Sequence, residues 1–280
     1  MNKIWGCFLL MCMFCSCMHV RPIDGKVITV TIEPLRYFTE SIAGEQYQVI
    51  SMVPSGNNPE TYDPNPQQFI NLRHSEAYFR IGYIGFEQAW MRRLCENNPN
   101  LKVIDTSNNV SLIYYNEHAR GTNNVEPHIW NSTTNAKLIA ENICTALCEL
   151  DSLHTSYYRH RLDSLVEIID KTDQRIRQIL PKEGSTFLIY HPALSYFARD
   201  YGLKQISVEE GGKEPTPAQL KTLISTCKNE QVKVIFVQQE FDTRNTQLIA
   251  DELHIPIVPI NPLSYHWQEE MIKIAQALSE

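Results

Sequence analysis

The chain has 280 residues, of which 43% are hydrophobic and 20% charged. That balance reads as a globular rather than a disordered chain, and the length suits one large domain or two modest lobes, each able to bury a core. The formal net charge of −7, without a long basic run, is the wrong sign for a nucleic-acid partner.

The first 17 residues, MNKIWGCFLLMCMFCSC, carry one Lys near the start and then an apolar stretch. A stretch of about ten residues is too short to span a bilayer and fits the apolar region of a signal peptide. It ends at Ser16-Cys17, which resembles the signal for lipid attachment in bacterial lipoproteins. Cys17 is therefore the expected lipid site, with Cys15 as a rival; an ordinary signal peptide with accidental cysteines is the alternative. Four cysteines remain beyond the leader, Cys95, Cys144, Cys148 and Cys227, without a CxxC pair or zinc-finger spacing. Cys144 and Cys148 lie one helical turn apart and are expected as buried core residues. A disulfide scaffold is not expected in a chain of this length.

After a short linker, VITVTI (27–32) reads as a strand. YFTESIAG (37–44) reads as a helix that stops at Gly44, and YQVISMV (47–53) as a second strand. NPQQFINLRHSEA (65–77) reads as a helix with Asn65 as N-cap and Pro66 at its first position. YFRIG (78–82) is a third strand, FEQAWMRRLCEN (86–97) a helix and LKVIDTS (101–107) a fourth strand. A helix is expected over about 132–153. A long one follows over about 155–180, where Tyr158, Leu162, Leu165, Ile169, Ile176 and Leu180 fall at helical spacing. At ~1.5 Å per residue it is roughly 35–40 Å long. The alternation then resumes: TFLIY, KQISV, KVIFV and IPIVPI as strands, with ALSYFARDYG, TPAQLKTLISTCKNE, TRNTQLIADELH and QEEMIKIAQALS as helices.

Alternation of this kind argues for parallel sheets covered by helices. The predicted fold is α/β: a leader (1–17), an N-terminal α/β lobe (26–153), one long rigid linking helix (154–181) and a C-terminal α/β lobe (182–280), each lobe holding a mainly parallel sheet.

Ligands of parallel sheets bind beyond the carboxyl ends of the strands. Glu60 follows the second strand, His191 follows TFLIY, Asn261 follows IPIVPI, and His128 stands just before the helix at 132. Two imidazoles and a carboxylate on strand-to-helix turns suit a first-row divalent metal such as zinc, iron or manganese. Taken singly, a histidine in such a loop is more often a structural hydrogen-bonding group. Spacing alone leaves both readings open.

Four segments carry more information: VPSGNNPETYDPNPQQF (53–69), VEPHIW (125–130), YHPALSYFARDYGL (190–203) and EEGGKEPTPAQL (209–220). In this order, and over nearly the whole mature chain, they resemble the metal-binding solute-binding proteins of ABC importers for zinc and manganese. The resemblance implies two lobes joined by a rigid helix, a single divalent ion between them, an ABC permease as membrane partner and no enzymatic activity. It implies ligands at Glu60, where the family has His; at His128, in the usual PHxW setting; at His191, where His is typical of zinc importers and Glu of manganese ones; and at Asn261, where the family commonly has Asp before Pro-Leu. The chain thus departs from the pattern at Glu60 and Asn261. Asn261 offers a neutral carbonyl oxygen or leaves its place to water.

Zn²⁺ is the expected cargo, with Mn²⁺ or Fe²⁺ as alternatives within the same family. The protein is expected to be monomeric, extracytoplasmic and lipid-anchored to a bacterial membrane. The loop before His128 offers only His118, expected as a solvated residue. His266 is an alternative ligand, and Glu214 is expected to brace its turn. Two rivals use the same cleft. One is a metal-dependent enzyme with water at an open position, against which no HExxH-type spacing is found. The other is a protein in which the two departures have abolished tight metal binding, leaving adhesion or another ligand.

Overall fold

The computed structural model describes residues 25–116, 124–182, 184–209, 211–241 and 244–279. Cys17, the rest of the leader and His118 lie outside the described residues. The first lobe runs β1 (Val27–Val30), α1 (Glu33–Ala43), β2 (Gln48–Ser51), α2 (Pro66–Leu72), β3 (Ser75–Arg80), α3 (Gly85–Asn97), β4 (Lys102–Asp105) and α4 (Thr133–Leu150). Helix α5 (Thr155–Ile179) leads to β5 (Thr186–Ile189), α6 (Ser195–Tyr201), β6 (Lys204–Ser207), α7 (Pro217–Asn229), β7 (Ile235–Gln238), α8 (Arg244–Leu253), β8 (Ile257–Ile260) and α9 (Trp267–Ala277).

The sheets have the orders β2-β1-β3-β4 and β6-β5-β7-β8, and neighbouring strands are parallel throughout. Each lobe therefore repeats one topology. In both, the winding reverses beside the first strand, which is where open α/β sheets bind ligands.

Local chemistry sets the helix ends. The Asn65 side chain accepts from Gln68 N, and the Gln68 side chain accepts from Asn65 N, with Pro66 at the first position; this is a capping box. Thr216, Pro217 and Gln219 repeat the device at α7. Gly44 ends α1 at φ 56°, and a Cβ there would lie 2.1 Å from the Tyr157 hydroxyl. A glycine is thus what lets α5 lie against the end of α1.

Two boundaries differ from expectation by more than three residues. Helix α1 begins at Glu33, with Pro34 in its first turn and an Arg36–Glu33 ion pair. Helix α2 stops at Leu72, not 77, and Ser75, Glu76 and Ala77 belong to β3. Ser75 pairs with Val27, its hydroxyl meets that of Thr29 at 2.7 Å, and Ala77 is fully buried. Sheet pairing here outweighs a helix preference that is worth only tenths of a kcal/mol per residue.

Helix α5, about 37 Å long by its 25 residues, buries Tyr158, Leu165, Ile169, Thr172 and Ile176. The core it enters is shared. Phe38 and Phe79 of the first lobe and Phe187, Ile189 and Phe236 of the second belong to one buried cluster. The period-2 alternation of β5 and β7 sends Leu188, Ile235 and Val237 to the other face, under Cys227 of α7 and Ile249 of α8. Cys144 is buried and Cys148 half-buried in the shared core, and among the described residues all four cysteines are free.

Helix α9 leaves the second sheet and packs back on the first lobe. Trp267 Nε1 donates to the Trp130 carbonyl at 2.8 Å, and its ring meets Phe38 at 5.3 Å. Just before it, Tyr265 donates to Glu40 at 2.7 Å beneath the Arg36 guanidinium.

A buried carboxyl closes the base of α3. Glu87 accepts from Thr31 Oγ1, Ile81 N and Gly82 N, and burial pushes it up to about 7. A carboxyl raised in the folded state stabilises fully below its ordinary value near 4.5, and that contribution is lost as pH rises through about 7. Between pH 4.5 and 8, wild-type stability measured by denaturant unfolding should therefore fall relative to Glu87→Gln by up to about 3 kcal/mol. A pH-independent difference would contradict the buried proton.

Candidate metal centre

The loop after β2 is pinned at both ends. Glu60 N donates to Asn58 Oδ1 at 2.9 Å, Phe86 N donates to the Pro59 carbonyl at 2.9 Å, and Trp90 Nε1 donates to Asp63 at 3.1 Å. Glu60 is thereby laid on the first turn of α3. Its Oε2 accepts from Gly85 N at 2.9 Å, where exposed amides and the helix dipole favour an anion. Gly85 has to lack a side chain, since a Cβ would fall 2.6 Å from both the Glu60 carbonyl and Oε2. The second carboxylate oxygen, Oε1, is buried without a hydrogen-bond partner.

His128 stands ahead of the Ser132 cap of α4. Its Nδ1 meets Glu126 Oε1 at 2.5 Å, and its backbone N–H donates to the same oxygen at 3.0 Å. That engagement leaves Nε2 as the free ring nitrogen. His128 and Glu126 are both buried. Burial works against charge on the imidazole, but the neighbouring Glu126 carboxylate outweighs it and raises His128 above its ordinary value. Glu126 Oε2 is buried without a hydrogen-bond partner, and its backbone carbonyl accepts from Tyr196 of α6 at 2.8 Å.

His191 follows β5 in the second lobe. Its Nδ1 lies 3.4 Å from both oxygens of Glu209, which follows β6. Gln238, at the end of β7, clamps the His191 backbone, its amide donating to the carbonyl at 2.7 Å. The imidazole is stacked on Phe241 at 4.9 Å and stands edge-on to His128 at 5.2 Å between ring centroids.

Glu60, His128 and His191 meet at a cavity of about 20 Å³, closed by Pro59, Ala193, Phe241, Pro262 and Leu263. That is room for one ion or one water molecule. It opens to a vestibule of about 1030 Å³ that also takes in Tyr115, Glu209, Glu214 and Glu240. No Lys or Arg lines the vestibule among the described residues, so its field attracts cations. Among the described residues, no three His, Cys, Asp or Glu side chains stand in ligating position at once.

The structure places the remaining expected residues elsewhere. Asn261 Oδ1 accepts from Leu263 N at 3.1 Å, and Asn261 N donates to Glu270 at 2.7 Å. This turn presents Pro262 and Leu263 to the cavity, and Asn261 is not on its wall. His266 is exposed, precedes α9 and packs edge-on against Tyr265. Glu214 sits 3.5 Å from the Tyr190 hydroxyl. Glu126 and Glu209, which hold the two imidazoles, are additions. The signal for Glu209 was the strand-end position that also marks Glu60 and His191, and the signal for Glu126 was its place two residues before His128.

The sequence model of the zinc-uptake complex component A, periplasmic, matches residues 28–280. The chain belongs to that family. It is similar to the crystal structure of ZnuA, at 36% identity over 91% of this chain and 98% of that one, with a TM-score of 0.85. It is 29% identical over 249 residues to FimA of Streptococcus parasanguinis, a metal ABC transporter substrate-binding lipoprotein, covering 84% of this chain and 79% of that protein. It is 28% identical over 243 residues to PsaA of Streptococcus pneumoniae, a manganese ABC transporter substrate-binding lipoprotein, covering 83% and 77%. The family consists of transporter solute-binding proteins, not enzymes, and this chain is a substrate-binding protein of a metal ABC transporter. Its partners are a divalent metal ion and an ABC permease.

If the Glu60 loop is seated by its contact with α3, Gly85→Ala should displace it. The expected result is at least about tenfold weaker metal binding, with a loss of about 1–3 kcal/mol in metal-free stability from overpacking. Equilibrium dialysis and denaturant unfolding measure the two. Wild-type affinity in a folded Gly85→Ala protein would contradict the role of that contact.

Proposed function

We propose that this protein is the zinc receptor of its importer, extracytoplasmic, monomeric and anchored through a lipid on Cys17. It captures Zn²⁺ between the lobes with Glu60 Oε1 and the Nε2 atoms of His128 and His191, then releases it to the permease. The observation that carries this reading is the arrangement behind the imidazoles. Each Nδ1 faces a carboxylate, the usual way to fix a metal-binding histidine's tautomer and ring plane. Beside them a buried carboxylate oxygen has no partner, which is costly unless something positive arrives.

Two imidazoles favour zinc over manganese, which stands at the weak end of the affinity order. Likeness to ZnuA supports the same choice. A manganese receptor is the second reading, favoured by the hard oxygen donor that Glu60 supplies and by the likeness to PsaA. The shared core and α5 limit hinge motion, so small lobe tilts and loop rearrangement would switch the site.

Calorimetric titration of metal-stripped protein tests the reading. One zinc site of sub-micromolar affinity is expected, with Mn²⁺ at least about tenfold weaker. Glu60→Ala should weaken zinc by about 2 kcal/mol or more, a factor of about 30. Tight zinc binding in that variant would return Glu60 to a purely structural role. No heat and no retained metal would sink the receptor reading.

A further inference from the structure

The three donors leave a zinc shell short of the usual four. Resting on the zinc-receptor reading above, we infer that Glu240 is the fourth metal ligand and replaces Asn261 in that role. The oxygen of Asn261 is spent on the Leu263 amide, and its side chain is absent from the cavity wall. Glu126 and Glu209 face the Nδ1 atoms and are likewise absent from that wall. Four titratable residues do line the cavity: Glu60, His128, His191 and Glu240.

Position supports the assignment. Glu240 follows β7, which pairs with β5, and β5 ends next to His191. The adjoining Phe241 stacks on the His191 ring at 4.9 Å with an interplanar angle of 12°. The backbone at Glu240 is thus tied to the position of another ligand. Glu240 also lines the vestibule, so it stands at the threshold between open water and the ion's place.

The side chains differ in how they are held. Glu60 is bonded to Gly85, His128 to Glu126, and His191 faces Glu209. Glu240 accepts from the side-chain amide of its neighbour Gln239 at 3.2 Å, on the exposed side. A dication competes easily with one neutral, solvated hydrogen bond. Among the described residues no three donors now stand in ligating position, so binding needs side chains to move, and Glu240 is the least restrained of the four. Charge agrees: two carboxylates and two neutral imidazoles balance a dication, and Glu240 restores the anion that Asn261 lacks.

The test uses metal-stripped protein with Zn²⁺ in competition with a chromophoric chelator, and Co²⁺ for its visible ligand-field spectrum. Glu240→Gln should weaken zinc at least about 100-fold, beyond what loss of an outer partner usually costs, and change the cobalt bands. Asn261→Ser, which keeps a side-chain oxygen for the Leu263 amide, should bind within about threefold of wild type with the same spectrum. Metal-free unfolding temperatures should coincide; should the Gln variant not fold, Glu240→Asp carries the same comparison. The assignment is overturned if Glu240→Gln binds like wild type, if it weakens zinc with an unchanged cobalt spectrum, or if Asn261→Ser carries the loss. Wild-type protein that holds no zinc would remove the receptor reading and this assignment together, and that arm alone tells the two failures apart.

Discussion

Helix α5 buries Tyr158, Leu165, Ile169 and Ile176 in a core that takes Phe38 and Phe79 from the first lobe and Phe187, Phe236 and Trp267 from the second. Burial of one such side chain stabilises by about 1.5–3 kcal/mol. Moving the lobes far apart would expose several at once, at a cost comparable to the free energy of binding one ion tightly, so wide opening is opposed. Hydrogen bonds near the site reinforce the constraint. Trp130 donates to the Pro262 carbonyl, Asn131 to that of Ala193, and Tyr196 to that of Glu126. The donors of the cleft are therefore held near fixed places, and the freedom that remains lies in side chains and loops. This is why residues as distant as 60 and 191 can be gathered around one small cavity.

Within that frame the cleft is built around negative charge. Glu126 and Glu209 stand behind the imidazoles, Glu60 stands on a helix N-terminus, and Glu126 and Glu60 each keep one buried oxygen without a partner. Buried charge without a counter-charge is unfavourable. A divalent cation at the small cavity would meet Glu60 directly and Glu126 and Glu209 across the imidazoles, and would relieve that cost, so capture and electrostatic relief are the same event. The uncompensated acidic vestibule works on approach, where it raises the local concentration of cations and weakens with added salt.

Much of this was legible in the sequence. Strand-helix alternation gave the two parallel sheets, and the 3.6-residue spacing of Tyr158, Leu165, Ile169 and Ile176 gave α5. Asn65-Pro66 and Thr216-Pro217 marked helix starts because capping is local chemistry. What depended on distant partners was harder to read. SEA at 75–77 looked helical and became strand because Val27 and Thr29 lie beside it. The return of α9 to the first lobe rests on Trp267 meeting Trp130 and Phe38, a contact with no local signal. At the site, Glu60, His128 and His191 could be picked out by strand-end position and motif. Asn261 could not be judged that way, since its turn toward Leu263 is decided by the loop's hydrogen bonds. Glu209 and Glu240 follow β6 and β7 at the same kind of position as His191, and the strand-end rule points to them equally.

The central claim is that the ion sits between two imidazoles and oxygen donors drawn from both lobes. X-ray absorption at the zinc edge of the loaded protein tests it most directly. The account predicts a four-coordinate first shell of nitrogen and oxygen near about 2.0–2.1 Å, with outer scattering from two imidazole rings. A sulfur scatterer at about 2.3 Å, or the signature of a single imidazole or none, would contradict it.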